Sequence, residues 1–174
     1  MKQYLLLIFA FTWALLPLSA QIDQGAMLDA INELRAEGCT CGTSELKPVT
    51  SVSWNKDLAE IAKSYSDHLK DNNKSSKNNF LFLSHVGIDG STLESRLAEA
   101  NFNTKFACEN IAFIEGNEDT AIDYWLNNPE SCQNIMSKQS TALGAARSGD
   151  FWVLILAQPI IKSKKDKTQE DITE

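Results

Sequence analysis

Two histidines, four cysteines and four prolines are all that the 174 residues hold of those types. No Gly-x-Ser-x-Gly occurs, so a serine hydrolase has no candidate elbow for its nucleophile. No Cys-x-x-Cys occurs either, and Cys39-Thr40-Cys41 is set too close for a redox pair of that kind. Positive charge is short: 16 Lys and Arg stand against 23 Asp and Glu, a net charge of −7. That balance argues against nucleic acid and anionic membrane, which are held by basic surfaces. Beyond residue 20 no apolar run is long enough to span a bilayer. No internal repeat is visible.

The first twenty residues have what the rest lacks. A basic start at Lys2 is followed by an almost wholly apolar run from Tyr4 to Leu18, then Ser19-Ala20. This reads as a secretory signal peptide cleaved after Ala20, and no cysteine follows to carry a lipid. The expected mature chain is a secreted, extracellular or periplasmic monomer with one domain over 21–161 and a charged, disordered tail over 162–174. Loss of Lys2 would make it more acidic still. In an oxidising compartment Cys39, Cys41, Cys108 and Cys132 imply two disulfides, with three pairings open. Four reduced thiolates around zinc would conflict with export.

Met27, Leu28, Ile31 and Leu34 recur at helical spacing, predicting a helix over 24–37 that Gly38 ends. Residues 39–53 read as irregular. A second helix starts near its cap Asn55 and buries Leu58, Ile61, Ala62, Tyr65 and Leu69, which leaves His68 off the stripe and solvated. Residues 71–79 read as an exposed loop that includes a glycosylation pattern, Asn73-Lys74-Ser75. His85 then sits in a stretch with Gly87 and Gly90, ahead of a helix whose capping box would be Ser91 and Glu94. A strand over 106–114, a helix capped by Asn117, a redirection at Pro129 and a helical turn over 131–136 follow. Ala142–Arg147 and Phe151–Gln158 flank Ser148-Gly149-Asp150, a hairpin signal. The continuous apolar run Phe151–Leu156 requires cover on both faces, hence a sheet between helix layers.

Several pieces, in order, resemble one family. They are Leu28-x-x-Ile31-Asn32-x-x-Arg35, Cys39-x-Cys41-Gly42, Leu46-x-Pro48, Trp54-Asn55-x-x-Leu58 and Ser84-His85-x-Gly87-x-Asp89-Gly90. Glu109-Asn110-Ile111-Ala112, Trp125, Cys132-x-Asn134-Ile135-Met136, Leu143-Gly144 and Trp152 continue the set. From about residue 24 to residue 158 the chain resembles the bacterial SCP-like domain of the cysteine-rich secretory, antigen 5 and pathogenesis-related protein (CAP) superfamily. The resemblance implies an α+β fold, an α-β-α sandwich with a small antiparallel sheet between helix layers. It also implies a cleft with two histidines and two acids, where some members bind a divalent metal. His85 matches the first histidine and Glu109 one acid, while Ser131 and Asn128 stand at the positions of the second histidine and second acid. The resemblance further places Cys132 opposite Cys39 or Cys41, with Cys108 free to bridge the other.

Zinc ordinarily takes three or four protein ligands. His85 and Glu109 supply two, a serine hydroxyl is a poor third, and Glu130 neighbours the lost histidine. No cofactor is therefore expected beyond weak divalent-metal (zinc) binding by His85 and Glu109. Glu109 has an equally good structural role as a paired carboxylate accepting from His85. Asn110 reads as a satisfier of loop backbone, and Trp54, Trp125 and Trp152 as packing. Two functions compete. One is a non-enzymatic module binding a lipid, a sterol or a protein or cell-surface partner. The other is a metal-dependent hydrolase of peptide or cell-wall material using His85 and Glu109.

Overall fold

The computed structural model describes residues 21–75 and 81–160; the expected leader at 1–20, the rest of the polar stretch and the tail at 162–174 lie outside them. Among the described residues five helices flank a four-stranded sheet. Its strands are β3 (Ser53–Trp54), β4 (Thr104–Phe113), β5 (Ala142–Ser148) and β6 (Phe151–Pro159), in the order β3-β5-β6-β4. The pairs β4–β6 and β5–β6 are antiparallel, and the two residues of β3 join β5 in parallel. The sheet is therefore mixed, with the expected antiparallel body and one short parallel edge. A second, two-stranded sheet pairs β1 (Cys39–Cys41) with β2 (Ser44–Leu46), where an irregular segment was expected.

The apolar run of β6 divides by the strand's period of two. Trp152, Leu154 and Leu156 face α1 (Gln24–Glu37), α4 (Glu118–Leu126) and α5 (Pro129–Ile135). Phe151, Val153, Ile155 and Ala157 face α2 (Lys56–Ser75) and α3 (Leu93–Glu99). Residues 151–157 are all buried, and each large side chain among them contributes about 1.5–3 kcal/mol relative to exposure. Trp125 and Trp152 are fully buried core residues; the Trp152 indole N–H donates to Ile114 O at 3.0 Å. The β5–β6 turn puts Gly149 at φ 61°, a left-handed value at the position a type II′ hairpin turn gives to glycine.

Helix ends follow local chemistry. Asn55 Oδ1 caps α2 by accepting from the Leu58 amide at 3.0 Å, and Asn117 caps α4 through the Thr120 amide. Pro129 does more than end α4: it begins α5 behind the cap Asn128. The capping box of α3 is one residue later than expected, formed by Thr92 and Ser95, because the Ser91 amide is already held by Asp89. Helix α2 also outlasts its apolar stripe, running through 71–75. Asn73 ties its end to the next loop, donating to Leu69 O and Phe82 O and accepting from the Phe82 amide.

Arg35, fully buried, links α1 to the end of α5 and to the segments before β3 and β5. Its guanidinium donates to Thr50 O, Ile135 O, Ser137 O and Ser140 O, and burial lowers its pKa. Gly144 lets α2 lie against β5, since an added Cβ would overlap the backbone of Leu58 and Ala59. Gly144→Ala is expected to destabilise the fold by roughly 1–3 kcal/mol through overpacking. Urea unfolding checks this, and an unchanged midpoint contradicts so close an approach of α2 to the sheet.

Candidate functional site

Strand β4 is an edge of the sheet, and an open cavity of about 430 Å³ lies across it. One rim is the loop before α3, with Leu83 and His85. The floor is Glu109 and Ile111 of β4. The other rim is the α4–α5 corner with Tyr124, Asn128, Glu130, Ser131 and Asn134. All four expected cleft residues, His85, Glu109, Asn128 and Ser131, thus line one space, although they come from three separate segments.

The histidine loop is fastened to one side of α2. Tyr65 O–H donates to Ser84 O at 2.5 Å, His68 Nε2 accepts from the Ile88 amide at 3.3 Å, and Asn73 holds Phe82. Burial, with Arg96 opposing it, pushes the Tyr65 phenol up to about 12, so it stays a donor. His68 is not solvated as expected. It stacks on Tyr65 with ring centroids 5.7 Å apart, and its Nδ1 faces Asp89. Within the loop Gly87 leaves room for its neighbours: a Cβ there would displace the side-chain oxygens of Asp89 and Ser91 and press on His68 Nε2 at 3.1 Å. The Gly87 amide donates to Ser91 O, closing the turn.

Glu109 is the centre of the charge arrangement. Its side chain is 2% exposed, with Oε1 3.0 Å from His85 Nδ1 and Oε2 2.7 Å from Arg96 Nη2. Arg96 also donates to Ser91 O and His85 O, and its guanidinium lies 3.5 Å over the Tyr65 ring. A carboxylate accepting at Nδ1 fixes the proton there, so Nε2 is the ring nitrogen left for anything entering the cleft. The hydrogen bond to Glu109 raises the His85 pKa, as do the charges of Glu109 and Glu130, while burial and Arg96 oppose them. Arg96 was missed in the sequence, yet it left a signal. It sits three residues after Leu93 and one before Leu97, on the buried side of a short helix, where a charge needs a partner.

The far rim is held through Asn110, which is fully buried. Its Nδ2 donates to Ser131 O and its Oδ1 accepts from Asn134 Nδ2, both at 2.9 Å. Asn128 Oδ1 accepts from the Glu130 and Ser131 amides as the cap of α5. Directly behind Ser131, Cys132 is bridged to Cys41, tying α5 to β1. The second expected disulfide does not form among the described residues. Cys39 lies beside the first bridge, whereas Cys108 on β4 points its thiol at Asn134 O. Burial pushes the Cys108 thiol up to about 12, leaving it protonated.

These donors do not fit a zinc centre. Both Glu109 oxygens are engaged, Asn128 Oδ1 is spent on two amides, and His85 offers one nitrogen beside a neutral serine hydroxyl. Among the described residues the one metal-competent group of three is Cys39, Cys41 and Cys132, of which two are in the disulfide.

Comparison with known proteins agrees with this architecture. The profile of CAP, the cysteine-rich secretory protein family, matches residues 28–154. An uncharacterized membrane protein of Bacillus subtilis (strain 168) is 28% identical over 96 residues, which are 55% of this chain and 25% of the relative. An extracellular SCP-domain protein from Bacillus anthracis str. Ames superposes with TM-score 0.64 at 24% identity, over 77% of this chain and 39% of that one. An outer surface protein from Borrelia burgdorferi gives 0.59 at 18% identity, over 82% and 99%. The chain thus spans only a quarter of the curated relative and well under half of the B. anthracis protein.

The His85–Glu109 contact has a defined pH signature. Its raised folded pKa means that its stabilisation is complete below the unfolded value, about 6.5, and is lost as pH rises through the folded value. NMR titration is expected to place His85 above that reference, and Glu109→Gln to bring it to or below it, since Arg96 remains. Unchanged titration in the variant would contradict the pairing.

Proposed function

The chain belongs to the cysteine-rich secretory protein family, and we propose that it is an extracellular, non-enzymatic module that binds a partner at the cleft across β4. The commitment of Glu109 carries this reading. A general base needs an oxygen within reach of the proton it removes, and both oxygens here are buried and held by His85 and Arg96. By resemblance, the family's second histidine and second acid are Ser131 and Asn128 here, a neutral hydroxyl and an amide already used as a cap. The cleft has kept its frame and lost half of its ionisable groups.

What lines the cavity suits recognition. Asn127, Asn134 and Ser131 contribute neutral hydrogen-bonding groups, Glu130 a carboxylate, His85 an imidazole, and Leu83, Ile111 and Tyr124 apolar surface. Val86 and Ile88, on the same loop as His85, are 48% and 69% exposed. A wall so rich in amides favours a protein or other polar cell-surface partner over a sterol. Export is supported by the leader-like residues 1–20 and by the extracellular and outer-surface descriptions of two similar structures. The alternative, a metal-dependent hydrolase, would need Glu109 freed from Arg96 and a ligand in place of the lost histidine.

Calorimetric titration of the mature protein with zinc tests the choice. The expected result is no site tighter than about 1 μM, with the same heats from His85→Ala. A tighter site that His85→Ala abolishes, or peptide or cell-wall turnover lost both on chelation and in Glu109→Gln, would overturn the proposal.

A further inference from the structure

We propose that Cys39, Cys41 and Cys132 form a thiol–disulfide exchange site, in which Cys132 can be bridged to either Cys41 or Cys39. The free Cys39 sulfur lies 3.5 Å from Cys132 Sγ and 3.6 Å from Cys41 Sγ, essentially in contact with the existing bridge. The placement follows from β1. Residues two apart on a strand share a face, so Thr40 points out while Cys39 and Cys41 both look toward α5. Cys108 takes no part, its thiol being directed at Asn134 O on another side of α5.

The exchange balances without an added oxidant. The Cys39 thiolate attacks Cys132 Sγ; the Cys39–Cys132 bond forms as the Cys41–Cys132 bond breaks. The electron pair leaves on Cys41 Sγ, which takes a proton equivalent to the one Cys39 gave up. One disulfide and one thiol exist before and after. Near-equal distances to the two sulfurs place Cys39 broadside to the bond, so a side-chain rotation must first bring it into line. Attack on Cys41 is the poorer course. It would join residues two apart on an extended strand, with Cα atoms about 6.6 Å apart, near the upper limit for a disulfide. The observed Cys41–Cys132 bridge has its Cα atoms 5.5 Å apart.

The two registers expose different thiols. With Cys41 bridged, the free sulfur is on half-buried Cys39; with Cys39 bridged, it is on Cys41, which is 1% exposed. The anchor of α5 also moves two residues along β1, immediately behind Ser131 of the cleft. Burial raises the Cys39 thiol pKa, so exchange speeds up as pH rises and thiolate forms.

The test is disulfide mapping of the mature protein after incubation at a series of pH values from about 7 to about 9.5, since Cys39 ionises above the ordinary thiol value of about 8.5. Acid quenching, one alkylating reagent before reduction and another after it, and tandem sequencing of the peptide carrying both Cys39 and Cys41 identify the register. The expected result is both Cys41–Cys132 and Cys39–Cys132, with Cys108 always free. In Cys41→Ser, Cys39–Cys132 should form and leave one free thiol. Wild-type protein showing Cys41–Cys132 alone at every pH overturns the proposal. So does a Cys41→Ser chain, folded by circular dichroism, whose three thiols all remain alkylatable.

Discussion

The cleft depends on one buried carboxylate. Glu109 leaves the edge strand β4 on the α3 side of the sheet and meets Arg96 from α3 and His85 from the loop before it. Burying a charge is costly unless it is paired and hydrogen-bonded, and here each oxygen has a donor. The pairing also positions other groups. Arg96 also donates from its Nη atoms to His85 O and Ser91 O, so the residue that neutralises Glu109 also holds the loop that presents the histidine. Tyr65 completes the arrangement from below, with its ring under Arg96 and its hydroxyl on Ser84.

The opposite rim is stabilised by different means. No ion pair joins α5 to its surroundings among the described contacts; hydrogen bonds to its carbonyls, the Asn110–Asn134 amide pair and a disulfide do that work. Asn110 holds Ser131 O, Arg35 holds Ile135 O at the end of α5, and Cys132 bridges to Cys41. A rim fixed through its backbone leaves the side chains of Ser131 and Glu130 available to the cavity. The cleft thus has one rim organised by charge and one by the main chain, the arrangement on which the proposed recognition role rests.

How much of this was legible in the sequence varied with the length of the signal. The β6 run, the helix over 24–37 and the caps Asn55 and Asn117 are strong local patterns, and the structure has them. The three-residue strands β1 and β2 have no periodicity to read, so their hairpin was invisible. Two adjacent hydroxyl residues, Ser91 and Thr92, compete for the cap of α3, and the Asp89 contact that decides between them lies outside the capping pattern. The end of α2 was lost because its last turns are polar and owe their anchorage to Asn73 and Phe82. His85 stood out by its glycine-bearing loop, but the rest of the site was visible only through the family resemblance. His85 and Glu109 are 24 residues apart, and nothing local announces their contact. Arg96 and His68 were missed because partners from other elements, not their own neighbours, determine what they do.

The central claim is that Glu109 frames the cleft rather than serving as a base within it. A double-mutant cycle on Glu109→Gln and Arg96→Met, read by urea unfolding, tests it most directly. If the buried pair organises the fold, the two losses are strongly non-additive, with a coupling of about 2 kcal/mol or more. Losses that simply add, within about 0.5 kcal/mol, would contradict it.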